Sequence, residues 1–246
     1  MSLLEEITPS PRKVMTLFYL LDTSSSMRGS RIGTLNAAME ESIPLLKEVA
    51  VANDDAEIKV AILQFSSGCQ WITPETGPAE LDELVWKDLV AEGITDFGAA
   101  LLELDRKLSR NAFLKSQTGA YAPVILLISD GAPTDNWEKG LNQIKNNNWF
   151  RHAIKIAIDI ESSAEKSVLE AFTGNSEAIL DAKNTAVLKK MIHKVSVRAS
   201  EFQSHSKQAD DSFSSPEDDS ADIVDAVIAD IEEEYSTVSD SDWGKW

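Results

Sequence analysis

Three segments of the sequence carry oxygen-bearing side chains in an arrangement that suits a divalent cation. Asp22, Ser24 and Ser26 form a D-x-S-x-S pattern directly after an apolar run. Thr95 lies in the segment EGITDFG, ahead of a helical pattern, and Asp130 follows the apolar run ILLIS. Two carboxylates and three hydroxyls are hard oxygen donors, which suit Mg²⁺ or Mn²⁺ rather than zinc or copper. The pattern therefore predicts a metal site formed by these five residues.

Each part of this pattern also has an ordinary structural explanation. Serine-rich turns are common, a threonine just before a helix is usually its N-cap, and an aspartate before a glycine is typical of a turn. What favours the metal site is that all the parts occur together and in this order. Each part also falls at the end of a predicted strand or at the start of a predicted helix.

The elements that would position these residues alternate between strands and helices. Apolar runs predict buried strands over Val14–Leu21, Ala122–Ser129 and His152–Ile158. A further strand is predicted over Glu57–Phe65, with shorter strands over QWIT and Ala178–Leu180. Apolar spacing predicts helices over Leu35–Val51, Pro78–Leu84, Phe97–Ser116, Asn136–Lys145, Ser163–Ala171 and Thr185–Ser200. We expect Pro44 to cause a kink or a local break in the first helix, and Asp135 to cap the helix that begins at Asn136.

This alternation predicts an α/β fold with a doubly wound, mostly parallel sheet, one antiparallel edge strand and helices on both faces. In such sheets the ligand site lies beyond the carboxyl ends of the strands. Asp22 and Asp130 each fall at the carboxyl end of a predicted buried strand. We therefore expect the two carboxylates to lie at the same edge of the sheet.

The D-x-S-x-S pattern, the Thr in a G-x-T-D setting and the Asp-Gly after an apolar strand together resemble a von Willebrand factor A domain, from about Lys13 to Ser200. The resemblance implies a metal-ion-dependent adhesion site. In that site Ser24, Ser26 and Thr95 would contact the ion directly or nearly so, and the two aspartates would act mainly through bridging waters. An acidic side chain of a partner protein would complete the coordination.

A narrower resemblance concerns the segment SDGAPTDNWEKGL, from Ser129 to Leu141. It is similar to the bacterial, TerY-like branch of the family, which is associated with tellurium-resistance and stress gene clusters. Genes for a protein kinase and a PP2C-type phosphatase often lie beside them. The resemblance implies a role in a stress or kinase–phosphatase system, with a kinase or phosphatase as the partner.

Composition excludes several other classes of function. The net charge of -18 argues against unaided binding to nucleic acid or to an anionic membrane, since either would need a basic patch. Cys69 is the only cysteine, so an intrachain disulfide and a cysteine-based zinc site are excluded. The start of the sequence does not resemble a signal peptide, and no apolar run reaches the length of a membrane span. We therefore expect a cytoplasmic location.

The C-terminal part of the sequence differs from the rest. From Gln208 to Trp246 it has 13 acidic residues and one basic residue. We predict a von Willebrand factor A domain over residues 1–202 and an acidic tail over 203–246, with a flexible linker and then a short amphipathic helix near 222–235. That helix either docks on the body or folds on a partner. Trp243 and Trp246 are candidate partner anchors, and Arg28 and Arg31 could steer an acidic partner towards the metal.

These observations predict a metal-dependent protein-interaction module that is not an enzyme. The sequence has no P-loop and no Ser-His-Asp arrangement that can be placed, and it offers no evident general base beside the predicted site. Two alternatives stay open. One is a scaffold whose metal is purely structural and whose acidic tail binds the partner. The other is a Mg²⁺-dependent phosphoester hydrolase.

Overall fold

The computed structural model describes residues 12–130, 132–160, 165–182, 184–205 and 215–241. Its strands are β1 (Lys13–Asp22), β2 (Ala56–Ser66), β3 (Gly68–Trp71), β4 (Ala79–Glu80), β5 (Val124–Ser129), β6 (Ile154–Ile160) and β7 (Ile179–Ala182). Its helices are α1 (Ser30–Ala52), α2 (Phe97–Lys107), α3 (Trp137–Ile144), α4 (Asn148–Arg151), α5 (Lys166–Thr173), α6 (Thr185–His205) and α7 (Pro216–Ser241). Short 3-10 turns cover Ser25–Met27, Leu81–Glu83 and Ser176–Ala178.

The strands form one sheet in the order β3-β2-β1-β5-β6-β7. Neighbouring strands from β2 to β7 along this path run parallel, whereas β3 and β4 both pair antiparallel with β2. The predicted α/β class and mostly parallel sheet are confirmed, with β4 as an additional antiparallel strand. The chain changes direction of winding between β1 and β5, so the crevice expected for a ligand lies at the carboxyl ends of these two strands.

Apolar side chains fill both faces of the sheet, which explains why the strand sequences are continuously apolar. Along β1, Met15, Leu17 and Tyr19 belong to the core cluster beneath α1, α6 and α7. Phe18 and Leu20 alternate with them and belong to the cluster beneath α2, α3 and α5. The period of two along the strand thus places successive side chains in two separate helix-covered layers.

Of the predicted helices, one is shorter than predicted and another is not an α-helix. The helix predicted over Phe97–Ser116 ends at Lys107, because the chain then turns back and packs Phe113 against Trp71, with ring centroids 4.7 Å apart. The helix predicted over Pro78–Leu84 is a two-residue strand followed by a 3-10 turn. An ion pair of 2.6 Å between Lys59 and Glu80 accompanies the strand pairing there.

The N-terminal helix begins earlier than predicted and continues through its proline. α1 starts at Ser30 rather than at Leu35, and Pro44 lies inside it without ending it. The side chains of Leu35, Met39 and Ile43 are buried in the core. Burial of this apolar stripe outweighs the loss of one backbone hydrogen bond at the proline.

The helix of the acidic segment is longer than the predicted range of 222–235. α7 begins at Pro216, so residues 216–222, predicted as linker, are helical. Ser215 accepts a hydrogen bond from the amide of Asp218, and the Asp218 carboxylate accepts one from the amide of Ser215. This reciprocal capping, with proline at the first helical position, fixes the start of the helix. Trp243 and Trp246 lie outside the described residues, and the division at residue 202 stays a prediction.

Part of α7 packs against the body of the protein. Its buried side chains include Ser220, Ala221, Ile223, Val224, Val227 and Ile231. The four large apolar ones belong to the same core cluster as α1 and α6. Of the two alternatives left open for this helix, the structure therefore shows docking on the body. Among the helices of the described residues, none is both long and apolar enough to cross a membrane.

Candidate metal centre

The first predicted ligand, Asp22, is the last residue of β1, and its side chain is fully buried. Its Oδ1 accepts a hydrogen bond of 2.8 Å from the amide of Ser24, and its Oδ2 accepts one of 2.6 Å from the hydroxyl of Ser129. Ser129 ends β5, the parallel neighbour of β1. Because parallel strands bring their carboxyl ends to one edge, residues 107 positions apart meet here.

The two predicted serine ligands connect this carboxylate to the second one. The hydroxyls of Ser24 and Ser26 lie 2.9 Å apart, and Ser26 donates a hydrogen bond of 2.8 Å to Oδ1 of Asp130. The 3-10 turn Ser25–Met27 directs the loop inwards through the buried side chain of Met27. Four of the five predicted ligands thus form one hydrogen-bonded group. We call Asp22, Ser24, Ser26 and Asp130 the oxygen cluster.

The fifth predicted ligand, Thr95, lies on a loop that is fastened to the loop of the oxygen cluster. The amide of Ser25 donates to the carbonyl of Gly93, and the amide of Glu92 donates to the carbonyl of Thr23. Thr95 is 5 % exposed. Among the hydrogen bonds of the described residues, none joins its hydroxyl to the oxygen cluster. The structure therefore places its loop at the cluster, while a ligand role for its side chain stays a prediction.

Two hydrogen bonds of the Thr95 backbone hold it against the loop that follows β5. Its amide donates to the hydroxyl of Thr134 over 3.0 Å, and the amide of Thr134 donates back to its carbonyl over 2.9 Å. The N-cap of α2 is Asp96, whose side chain makes no capping hydrogen bond. The alternative explanation of Thr95 as the residue that caps this helix is therefore wrong.

The expected role of Asp135 as the cap of the following helix is also wrong. Asn136 caps α3 by accepting from the amide of Lys139. The Asp135 carboxylate instead accepts hydrogen bonds of 3.1 and 3.0 Å from the amides of Gly98 and Ala99, at the start of α2. It satisfies two of the amides that a helix N-terminus leaves without partners. Asp135 thereby links the loop after β5 to the helix that follows Thr95.

This link requires α2 and α3 to approach closely, and two glycines permit it. A Cβ atom added to Gly140 would lie 2.6 Å from the carbonyl oxygen of Gly98. A Cβ atom added to Gly98 would lie 2.7 Å from Oδ2 of Asp135. Any larger residue at either position would separate the two helices and move Asp135 away from the amides that it caps.

The electrostatics of the oxygen cluster favour a bound cation. Burial raises the pKa of Asp22, and the negative charge of Asp130 raises it further, while hydrogen bonds from Ser129 and Ser24 lower it. Two carboxylates close together in a buried setting are unfavourable when both are ionised. A divalent cation would remove this cost, and hydroxyl oxygens would complete its shell without adding charge.

The two arginines predicted to steer a partner lie in different settings. Arg31 donates to Oδ2 of Asp130 over 2.5 Å and to the carbonyl of Ser26 over 3.2 Å. Arg28 donates to the carbonyl of Ala91 over 3.1 Å. Arg31 is therefore part of the candidate centre, whereas Arg28 fastens the loop that leads towards Thr95.

The donor set fits Mg²⁺ or Mn²⁺ better than a transition metal. In the described part of the chain, no three or more side chains of His, Cys, Asp and Glu are grouped so that they could hold a metal. The oxygen cluster instead combines two carboxylates with two hydroxyls, the hard donors that Mg²⁺ and Mn²⁺ accept. Hydration water would supply the remaining ligands, as Mg²⁺ usually retains several waters.

Sequence reasoning missed two residues that support the site, Ser129 and Thr134, which make the hydrogen bonds described above. It named Arg31 as a residue that steers a partner, but it missed the direct contact of Arg31 with Asp130. A signal for Ser129 was present, because residues at the carboxyl ends of adjacent parallel strands share one edge. The contacts of Thr134 and Arg31 join loops far apart in the sequence, and no local pattern indicates them.

Comparison with known proteins agrees with this fold. Residues 17–132 match the family model of the von Willebrand factor type A domain. A comparison with curated proteins gives no match. Several solved structures share the fold at low sequence identity.

One of these is a von Willebrand factor type A protein from Catenulispora acidiphila, with a TM-score of 0.54 and 14% identity over 77% of this chain and 43% of that one. A second is proximal thread matrix protein 1 from the mussel byssus with a zinc-occupied MIDAS motif, with a TM-score of 0.55 and 16% identity over 76% of this chain and 48% of that one. A third is the PilB minor pilin from Streptococcus sanguinis, with a TM-score of 0.57 and 14% identity over 78% of this chain and 63% of that one. The chain thus spans less than half the length of the first two structures.

Proposed function

We propose that the chain is a metal-dependent protein-recognition module of the von Willebrand factor type A family, whose domain model matches residues 17–132. The observation that supports this most is the oxygen cluster itself. Asp22, Ser24 and Ser26 from one loop and Asp130 from another are joined by hydrogen bonds at the carboxyl edge of the sheet. That edge is where open α/β sheets bind ligands.

In this proposal Mg²⁺ or Mn²⁺ is held by the oxygen cluster together with Thr95. The two serine hydroxyls and the threonine hydroxyl contribute no negative charge, so the bound ion stays strongly electrophilic. Ser26 is exposed, and the site is therefore accessible from solvent. An acidic side chain of a partner protein would then complete the coordination of the ion and make binding metal-dependent.

We also propose that the chain is not an enzyme and that it acts in the cytoplasm. The sequence offers no P-loop and no Ser-His-Asp arrangement that would make use of the metal chemically. The likeness of Ser129–Leu141 to the TerY-like branch supports a bacterial stress or tellurium-resistance setting. A kinase or a PP2C-type phosphatase is the corresponding partner.

The first test measures metal binding directly. Isothermal titration with Mg²⁺ and with Mn²⁺ should show binding to the wild type and a strong loss in Ser26→Ala. Ser25→Ala is the matched control, because Ser25 lies between the two cluster serines and its amide, not its hydroxyl, contacts Gly93. Equal binding by all three proteins, or by none, would contradict the proposed site.

The second test asks whether metal controls recognition. The wild type and Asp22→Ala are used as baits in a lysate of the source cell, each with Mg²⁺ and with EDTA. We expect a partner that only the wild type retains, and only with Mg²⁺. A partner retained equally under all four conditions would show that recognition does not depend on the metal.

A structural metal is the second candidate function, and one observation favours it. The three loops at the carboxyl edge are already joined through Ser129, Thr134 and the backbone of Gly93, so an added ion would join the same loops more firmly. In that case Mn²⁺ would raise the midpoint of thermal unfolding while partner retention stayed the same with and without EDTA.

A further inference from the structure

Arg31 places a permanent positive charge against one of the predicted metal ligands. Its Nη1 lies 2.5 Å from Oδ2 of Asp130, whose side chain is fully buried, while the Arg31 side chain is 27% exposed. The other oxygen of Asp130 accepts the hydrogen bond from Ser26. A guanidinium stays protonated at every pH at which the protein is folded, so this charge cannot be removed by titration.

A cation held by the oxygen cluster would be close to this guanidinium. Like charges repel strongly in a setting that is shielded from bulk water, because the effective dielectric constant there is well below that of water. Arg31 also competes for Asp130, since the Oδ2 atom that it contacts is one of the two available to a metal or to its bound water. Both effects lower the affinity of the cluster for a divalent cation.

The same charge has the opposite effect on an incoming carboxylate. The carboxylates of Asp22 and Asp130 together carry two negative charges, which a divalent cation alone would neutralise. With Arg31 present, the metal-loaded centre has one net positive charge, which attracts an anionic side chain. Arg31 also retains exposed surface, and a guanidinium can donate to a carboxylate with two nitrogens.

We propose that Arg31 is a built-in counter-cation that weakens metal binding and strengthens the binding of an acidic partner to the metal-loaded centre. This inference rests on the proposed function, because it assumes that the oxygen cluster holds a divalent cation. It adds a specificity determinant to that function: metal occupancy and partner binding become coupled, since a partner carboxylate offsets the repulsion between Arg31 and the ion.

The test compares metal affinity between charge variants at neighbouring positions. Mn²⁺ is titrated calorimetrically into the wild type, Arg31→Gln, Arg31→Lys and Arg28→Gln. We expect Arg31→Gln to bind Mn²⁺ about tenfold more tightly than the wild type, a factor that corresponds to ~1.4 kcal/mol. Arg31→Lys retains the charge and should stay close to the wild type. Arg28→Gln removes the same charge, but Arg28 donates to the carbonyl of Ala91 and not to Asp130. This variant should therefore change the Mn²⁺ affinity much less.

A second readout follows the anionic ligand. Acetate is added to the Mn²⁺-loaded proteins, and its displacement of metal-bound water is followed by water-proton relaxation. Arg31→Gln should need several-fold more acetate than the wild type, whereas Arg28→Gln should not. Thermal unfolding of each variant verifies that it is folded, and Arg31→Met serves as a second uncharged variant.

The outcomes separate this inference from the proposed function. If the wild type binds Mn²⁺ and the uncharged Arg31 variants bind it equally or more weakly, the counter-cation role is wrong and the metal site stands. If Arg28→Gln tightens Mn²⁺ binding as much as Arg31→Gln does, the effect arises from the net charge of the protein, and the contact of Arg31 with Asp130 has no special role. If neither the wild type nor any variant binds Mn²⁺ or Mg²⁺, the proposed function fails and the inference fails with it.

Discussion

The candidate metal centre and the contact of α7 with the sheet both place acidic groups beside buried strands, but they neutralise the charge differently. We call the second region the α7 interface, formed by the buried face of α7 against β6 and α6. There, Asp230 accepts hydrogen bonds of 3.1 and 2.9 Å from the guanidinium of Arg198, and Glu217 lies 3.8 Å from Nζ of Lys155. These two acidic groups of the helix thus face cations of the same chain.

At the metal centre the balance is different. Burial raises the pKa of Asp22, and the nearby negative charge of Asp130 adds to this effect. In the described part of the chain, Arg31 lies against Asp130, so that one guanidinium faces the two carboxylates. Charge at the α7 interface is largely balanced by its own chain, whereas charge at the metal centre is not. The comparison indicates that the first region stabilises the fold and the second is arranged to receive a cation.

The α7 interface also completes an edge of the sheet. β7 pairs with β6 over Ala157–Ile160, and among the described residues no strand pairs with the first half of β6 on that side. The hydroxyl of Ser220 accepts a hydrogen bond of 3.2 Å from the amide of Lys155 in that half. Covering an unpaired strand edge prevents it from pairing with another chain. The first half of α7 therefore has a structural role that does not involve the metal.

The largest expected effect tests whether α7 is part of the folded body. Val227 is fully buried on α7, and Val227→Asp would place an unpaired charge in the core. We expect the free energy of unfolding to fall by about 3–5 kcal/mol, measured by urea denaturation. The exposed neighbour Asp225 provides the control, and Asp225→Ala should change it by less than about 0.5 kcal/mol.

The same variant tests whether the two regions are independent. Where Val227→Asp is still folded, its affinity for Mn²⁺ should equal that of the wild type, because the α7 interface and the oxygen cluster share no residue. A loss of Mn²⁺ affinity in proportion to the loss of stability would show that α7 supports the metal centre. The two regions would then not be independent.

A smaller effect is expected from the carboxylate that joins the two loops of the metal centre. Asp135→Ala leaves the amides of Gly98 and Ala99 without their acceptor, which should lower the free energy of unfolding by about 1–2 kcal/mol. It should also weaken Mn²⁺ binding, since the loop of Thr95 loses its attachment. Asn136→Ala removes the cap of α3 and is the matched control. It should cost about 1 kcal/mol of stability and leave Mn²⁺ affinity unchanged.

The sequence was sufficient to predict the features that depend on local pattern. The continuous apolar runs of β1 and β5 indicated buried strands, and the polar residues at their ends indicated which edge would carry the site. The hydrogen bonds from Ser24 to Asp22 and from Ser26 to Asp130 follow once those strands are neighbours. The oxygen cluster could thus be predicted because its members lie at the end of a strand of clear pattern or in the loop just after it.

The remaining features depend on contacts between distant segments. The end of α2 is set by the packing of Phe113 against Trp71 across another loop, and helical spacing alone extends past it. The role of Asp135 is fixed by the approach of α2 to α3, so its position next to Asn136 was misleading. The docking of α7 likewise depends on which apolar surface of the body is left uncovered, and single-sequence periodicity does not contain that information.

The third prediction concerns the pH dependence of the α7 interface. The side chain of Lys155 is 4% exposed, and burial lowers its pKa from the ordinary value of 10.5, although Glu217 acts in the opposite direction. The unfolded chain therefore binds this proton more tightly than the folded one. Between the lowered pKa and 10.5, the unfolded state carries more protons, and the free energy of unfolding rises with pH.

Urea denaturation of the wild type and of Lys155→Met between pH 7 and 10.5 measures this effect. As the pH rises from 7 to 10.5, the free energy of unfolding of the wild type should increase steadily relative to that of Lys155→Met. Tyr19, whose pKa burial raises to about 12, titrates with the opposite sign above pH 10, but it is present in both proteins and cancels. If the free energies of unfolding of the two proteins change with pH in the same way, the amine of Lys155 has the same pKa in the folded and unfolded states, and the prediction is wrong.

The smallest expected effect concerns the ion pair at the surface of the α7 interface. Arg198 contacts Asp230 with two nitrogens, but its side chain is 39% exposed, so water and salt screen the pair. Arg198→Ala should lower the free energy of unfolding by about 0.5–1 kcal/mol, and less in 1 M salt. Arg106→Ala, which breaks the more exposed pair with Glu103, is the control and should have a smaller effect still.

If Arg198→Ala lowers the free energy of unfolding by more than about 2 kcal/mol, and salt does not reduce this loss, charge and not the buried apolar face holds α7 in place. Both regions would then depend mainly on electrostatic interactions. They would differ only in whether their carboxylates are paired with cations of the same chain.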